Sequence, residues 1–190
     1  PHIPGSVPNI LYLSNYARDK GVLILIDALK ILKDKGVPFR AQLVGAPANL
    51  TPEFLMELIR KQHLEEFVEI AGPLYDEAKR EAFKMADLFV FPSLNDAFPL
   101  VILEAMQYFL PVVASFEGGI PDMVVDKDTG FLIENIDAGK LADKLFVLLG
   151  NEDLRHEMGQ NGHIRFMNNF TIDHFEKNML TTFQNILNQA

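Results

Sequence analysis

Short apolar runs alternate along the chain with longer segments whose apolar positions recur every three or four residues. "NILYLSN" (9–15), "FVEIAG" (67–72), "LFVFPS" (88–93) and "PVVAS" (111–115) are short and rich in branched or aromatic residues, which predicts buried strands. "FRAQLVG" (39–45) alternates apolar with polar and predicts another strand, and "GFLI" (130–133) a further short one. Between them, "GVLILIDALKILKDKG" (21–36), "TPEFLMELIRKQH" (51–63), "DEAKREAFKMA" (76–86) and "PLVILEAMQYF" (99–109) have helical length and spacing. Thr51 is placed to cap the second of these, with Pro52 at its first position and Glu53 in its first turn. Gly36 suits the left-handed residue that ends the first. "GGIPDMVV" predicts a loop and a short helix, and beyond it three helices cover 137–149, 152–168 and 171–188.

Strand and helix therefore alternate at least five times, which predicts an α/β fold: a doubly wound, Rossmann-like parallel sheet with helices on both faces. The unbroken apolar character of the strands agrees, since parallel strands are covered on both sides. In such sheets ligands occupy the crevice beyond the C-terminal strand ends. The residues to inspect are 14–20, 45–49, 72–75, 93–100 and 115–119.

Composition narrows the classes. The 190 residues suit one generous domain, and a net charge of -9 makes the chain a poor partner for nucleic acid, where phosphate contacts dominate affinity. It has no cysteine, so neither a disulfide framework nor a thiolate metal site is available, which fits a reducing compartment. No H-E-x-x-H pattern occurs, and "DKDTG" (126–130) lacks the later ligands of a calcium loop, so no metal is expected. His156 and His163 lie among charged residues of a helix and are expected at the surface. No apolar run reaches the ~20 residues of a spanning helix. "PHIPGSVPN" has no signal-peptide pattern and, with three prolines and one glycine, is expected to be a linker.

The strand ends carry the chemistry. After the first strand, Arg18 and Lys20 precede a helix start, whose free N–H groups favour anions; solvated surface lysines are the alternative. Gly45 and Gly72 permit a close backbone approach or simply a turn. After the fourth long strand comes "NDAFPLVILEAM" (95–106), in which Asp96 falls in the loop and Glu104 in the second turn of an apolar helix. A carboxylate so placed needs a partner. Ligand hydroxyls would supply one; snorkelling to the domain edge or a buried basic group would be the structural alternatives.

Four segments in order resemble the retaining family 4 glycosyltransferases, specifically the C-terminal, donor-binding half of their two-domain GT-B fold. They are "ILYLSNYARDKGV", "ADLFVFPSLNDAFPLVILEAM", "PVVASFEGGIPDMVVDKDTGFLI" and "FTIDHFEKNML", and the likeness runs from about Pro8 to Leu187. It implies residues 1–8 as an interdomain linker, 9–170 as the sugar-nucleotide domain and 171–190 as a closing helix. The family's paired acids fall on Asp96 and Glu104, so Asp96 would hold hydroxyls of the transferred hexose and Glu104 the ribose. Lys20 would neutralise the diphosphate, and backbone N–H groups of Ala97, Phe98, Pro99, Leu100 and Val101, a stretch in which proline has none to give, would meet sugar and phosphates. Gly72 to Tyr75 would lie against the base, and Asn15, Arg18, Gly45, Gly118 and Gly119 complete the donor site.

The resemblance further implies a UDP- or GDP-linked sugar as substrate, no metal or other cofactor, and a glycan or lipid-linked acceptor held by an N-terminal domain. A cytoplasmic protein follows, with peripheral attachment at the inner membrane face left open for the full-length form. Three departures from the pattern stand out: Asp96 replaces a longer Glu, Ala97 replaces Gly, and Asn15 stands where the lysine's companion arginine is usual. Arg18 is the candidate to supply that charge. These departures keep a degenerate, non-catalytic sugar-nucleotide module open as an alternative. A receiver-type signalling domain would need acids at Ser14-Asn15-Tyr16 and has none.

Overall fold

The computed structural model describes residues 7–187, so most of the expected linker, residues 1–6, lies outside the described residues. Six strands form one sheet: β1 (Asn9–Leu13), β2 (Arg40–Val44), β3 (Val68–Gly72), β4 (Leu88–Phe91), β5 (Val112–Ser115) and β6 (Gly130–Ile133). Their order is β3-β2-β1-β4-β5-β6, and every pairing is parallel. The doubly wound fold expected from the sequence is the fold observed.

Alternation along each strand sorts its side chains between two cores. Ile10, Tyr12, Val90 and Val113 join one, which holds α1 (Val22–Asp34), α2 (Pro52–Lys61) and α6 (Ala138–Leu149). Leu11, Phe89, Phe91, Val112 and Ala114 face the other, with α3 (Asp76–Met85), α4 (Leu100–Gln107) and α5 (Ile120–Met123). All four residues of β4 and of β5 are buried, which accounts for their unbroken apolar sequences. Helix α1 buries Leu25, Ile26, Ala28, Leu29 and Leu32, a stripe with the period of one helix face, and ends with Gly36 at φ 71° as expected. Thr51 caps α2 by accepting from the Phe54 amide at 3.2 Å.

Helix α7 (Glu152–Asn169) packs on α4 and α6, and α8 (Ile172–Leu187) follows it with no residue buried. His163 corrects the sequence reading. It is half-buried, stacked 3.8 Å from the Phe109 ring, with Nδ1 at 3.3 Å from the Met106 carbonyl. The tight turn after α4 makes room for this stack: Phe109 adopts φ 59°, and a side chain at Gly159 would strike its carbonyl.

Arg155 is buried. Its guanidinium donates to the Leu148 and Leu149 carbonyls at 2.6 and 3.2 Å, closing the C-terminal end of α6 where a helix is short of donors and carries partial negative charge. Arg155→Met keeps the apolar stem and removes the donors. We expect it to lower unfolding free energy by about 1.5–3 kcal/mol in a denaturant titration. An unchanged midpoint would show that water replaces the guanidinium.

Candidate functional site

Strands β1 and β4 are neighbours in the sheet, and the helices that follow them pass to opposite faces, α1 to one core and α4 to the other. Their C-terminal ends therefore form the topological switch point, the position where an open α/β sheet leaves a crevice. The two loops touch there. Gly21, at φ 73°, passes so close to the Pro92 carbonyl that a side-chain carbon would lie 1.9 Å from its oxygen. The Leu94 amide donates to the Asp19 carbonyl at 2.7 Å, and Ser93, fully buried, donates to Asp19 and Asn95 carbonyls. The Ser115 hydroxyl donates in turn to the Ser93 carbonyl, tying in the end of β5.

Lys20 ends the short 3-10 turn Arg18–Lys20 and reaches across this junction. Its ammonium donates to the Asn95 carbonyl at 2.6 Å and to the Asp96 carboxylate at 2.9 Å. The lysine and the first acid singled out in the sequence are thus in direct contact. Their side chains are 25% and 19% exposed, buried enough for the pair to be more than a solvated surface bridge.

The loop carrying Asp96 rests on two glycines. A side-chain carbon on Gly118, at φ 50°, would fall 1.9 Å from the Asp96 carbonyl oxygen, and one on Gly119 would fall 2.6 Å from the Phe98 ring. The Gly119 amide donates to the Ala97 carbonyl at 2.7 Å. Phe98 and Leu100 remain 44% and 64% exposed at the mouth of the crevice.

Helices α1, α3, α4 and α5 all start around the crevice without a side-chain cap; their cap positions are Gly21, Tyr75, Pro99 and Gly119. In α2, α6 and α7 the cap side chains of Thr51, Asp137 and Asn151 accept from the first turn. First-turn N–H groups of α1, α3 and α4 are thereby left for water or a ligand, whereas in α5 the Ile120 and Asp122 amides donate to the Glu117 and Gly119 carbonyls and Pro121 has none.

Glu104 lies one turn into α4. The sequence raised a lone buried carboxylate; the observed side chain is 37% exposed and has a basic partner, with Lys79 Nζ of α3 at 2.5 Å from Oε2. Glu104 thus has a basic partner, although Lys79, 29% exposed, is not the buried basic group that the sequence left open.

A third loop pair flanks the crevice. Gly45 donates to the Gly72 carbonyl at 2.9 Å, and a side chain on Gly45 would collide with the Ser14 carbonyl, so backbone packing already accounts for this glycine. The Tyr16 hydroxyl donates to the Leu43 carbonyl at 2.8 Å and accepts from the Gly72 amide at 3.2 Å. Burial pushes the Tyr16 phenol up from its ordinary pKa, opposed by the amides of Gly72 and Gly45. Gly72 itself has φ 67° with open space where a side chain would be, and Tyr75 is 70% exposed. Asn15 and Arg18 are exposed; the Arg18 amide donates to the Asn49 side chain at 3.0 Å. Tyr16, Asn49, Ser93 and Ser115 fall within the strand-end stretches marked for inspection but were given no individual role, and Lys79 lies outside those stretches. Only the Pro-Ser after β4 and the small-residue loop after β2 offered a local signal.

A family model described as "Glycosyl transferases group 1" matches residues 2–165. The chain belongs to this glycosyltransferase family. It is 30% identical over 181 residues to N-acetyl-alpha-D-glucosaminyl L-malate synthase of Bacillus anthracis, covering 94% of this chain and 45% of that protein. A solved glycosyltransferase from Rickettsia africae superposes with TM-score 0.84 at 27% identity, over 98% of this chain and 50% of that one. An Anabaena protein crystallised with UDP and glucose superposes at TM-score 0.80 and 25% identity, over 93% and 48%. The chain spans about half the length of these relatives. Its sheet and helices are those of the Rossmann-like half of GT-B glycosyltransferases. No helix among the described residues is long and apolar enough to cross a membrane.

Proposed function

We propose that the crevice binds a nucleoside-diphosphate sugar, UDP- or GDP-linked, and presents its hexose for transfer with retention of anomeric configuration to an acceptor held by a preceding domain. The observation that carries this reading is the Lys20–Asp96 contact at the switch point, set between the uncapped starts of α1 and α4. A cation beside free helix amides suits a diphosphate, whose charge grows as the sugar departs. The neighbouring carboxylate suits a sugar hydroxyl. In this assignment Lys20 and first-turn amides stabilise the diphosphate, Asp96 orients the hexose, Glu104 accepts from the ribose, and Gly72 to Tyr75 flank the base. The family resemblance in the sequence supports the retaining class.

The degenerate-module alternative is disfavoured because Lys20, Asp96 and Glu104 are all assembled around one crevice despite the departures at Asn15 and Ala97. Calorimetry on this chain with UDP- and GDP-sugars tests the reading. We expect measurable, weak binding of one class and no glycosyl transfer to added acceptors. Absence of binding to either class would favour the degenerate module, and robust transfer by the chain alone would refute the need for a second domain.

A further inference from the structure

Tyr16 is fully buried among the strand-end loops, yet it is none of the groups assigned to the donor. Its backbone holds the loop after β2. The Tyr16 amide donates to the Ala46 carbonyl at 2.8 Å, and the Tyr16 carbonyl accepts from the Leu50 amide at 3.0 Å. Its side chain reaches one strand further. The β2–β3 register slips there, with Leu43 facing Ile70 but Val44 facing Gly72. The phenol spans the slip: it donates to the Leu43 carbonyl and accepts from the Gly72 amide. Irregularities of this kind beside a site re-aim the chain that follows them.

Gly72 is pinned on both sides. Its amide is held by the Tyr16 hydroxyl at 3.2 Å, and its carbonyl by the Gly45 amide at 2.9 Å. The peptide groups before and after it are thereby oriented. Gly72 sits at φ 67° with nothing within 4 Å of where a side chain would start, so the turn requires glycine and the packing does not. Pro73 follows, with its own φ fixed by the ring. The direction in which the chain leaves β3 is thus set by a glycine, a proline and the phenol that holds the glycine amide. That direction places the exposed Pro73 and Tyr75 beside the crevice.

We propose that Tyr16 is a positioning residue for base selection: its hydroxyl fixes the turn at Gly72, and through it the 73–75 segment that meets the nucleobase. This rests on the donor-binding reading above. A glycine freed from its hydrogen bond visits positive and negative φ about equally readily. Without the hydroxyl the segment loses its single orientation, and ordering it again is charged against binding. The diphosphate is held elsewhere, by Lys20 and first-turn amides, so the loss falls on the base. Discrimination between bases is a difference of two affinities, and a loose segment shrinks it. Tyr12 supplies the contrast. It is equally buried, but its hydroxyl donates to the Asn15 and Lys20 carbonyls at 3.4 and 3.3 Å, so it braces the phosphate side.

The test is calorimetry on this chain with UDP and GDP, which differ only in the base. The wild type is expected to prefer one of them by about tenfold or more. Tyr16→Phe keeps the buried ring and removes the hydroxyl. It should weaken the preferred nucleotide by about tenfold and the other far less, so the ratio collapses. Tyr12→Phe should weaken both alike and keep the ratio. Pro73→Gly, on the exposed side, loosens the same segment without touching the core and should also lower the ratio. Hydrogen exchange gives a reading without ligand: the Gly72 amide should exchange faster in Tyr16→Phe than in the wild type.

A Tyr16→Phe ratio equal to wild type, which includes equal losses for both nucleotides, overturns the assignment while the donor site stands. So does a Pro73→Gly ratio equal to wild type, which would mean that the orientation of the segment does not select the base. A wild type that binds UDP and GDP equally removes base selection from the 73–75 segment and from Tyr16 together. A wild type that binds neither overturns the donor reading, and the Tyr16 role with it. Thermal melts of each variant separate these results from misfolding.

Discussion

Gly118→Val is expected to abolish most donor binding and to destabilise the chain, although Gly118 need not touch the donor. Two costs act at this position. Gly118 has φ 50°, where a β-branched residue is strained by about 1–3 kcal/mol. The added side chain would also fall 1.9 Å from the Asp96 carbonyl oxygen, a backbone atom that cannot rotate away. The loop 95–98 must move, and overpacking of this kind costs a further ~1–3 kcal/mol. For a chain of this size, a combined cost of about 2–6 kcal/mol lowers Tm by roughly 5–20 °C. Displacing Asp96 also carries it off Lys20, and misplacing a binding group by about 1 Å can cost on the order of 100-fold. Gly36→Val supplies the control. Gly36 has φ 71° but nothing within 4 Å of where a side chain would start, at the far end of α1. It should show the strain cost and leave donor affinity intact. Donor affinity in Gly118→Val equal to wild type would mean that the loop is not fixed by this contact.

What the amino-acid pattern reveals of this fold divides along a physical line. Elements were legible where burial imposes a period: the stripe on α1, the apolar runs of β4 and β5, the cap at Thr51. Their ends were less so, because they depend on single residues. "LFVFPS" suggested a strand to Ser93, but β4 stops at Phe91, next to Pro92, which has no N–H for the ladder. "PLVILEAMQYF" suggested a helix to Phe109, but α4 ends at Gln107, and Phe109 turns left-handed against Gly159.

The site shows the same division. Lys20, Asp96 and Glu104 could be singled out because each departs from its local pattern at a strand end or in an apolar helix. Their partners could not. Lys79 is one of two lysines on a charged amphipathic helix, 25 positions before Glu104, and nothing local distinguishes it. Arg155 and His163 look like ordinary surface residues of a polar helix, and only packing against α6 and the end of α4 makes them structural. The stripe Ile172, Phe175, Met179, Phe183 and Ile186 on α8 is legible as amphipathic, but the described structure leaves it exposed.

Lys20→Met should weaken nucleoside-diphosphate binding by roughly 30- to 100-fold, about 2–3 kcal/mol, and for two reasons of the same sign. The substitution removes the cation proposed to face the diphosphate. It also leaves the Asp96 carboxylate without its partner, and this group, 19% exposed, would then face the ligand's phosphates as a like charge. The second effect can be isolated. Asp96→Asn in the Lys20→Met background removes the stranded charge, so the double variant should bind bare UDP or GDP more tightly than Lys20→Met alone. Asp96→Asn by itself frees Lys20 from the ion pair, leaving it the Asn95 carbonyl as partner. It should bind the bare diphosphate at least as well as wild type while losing the added affinity that the attached hexose provides. Raising ionic strength should narrow the gap between Lys20→Met and the double variant, since screening weakens the repulsion. A Lys20→Met protein that binds as tightly as wild type, or a double variant weaker than Lys20→Met for the bare diphosphate, would show that the Lys20–Asp96 pair braces the two loops and does not face the donor.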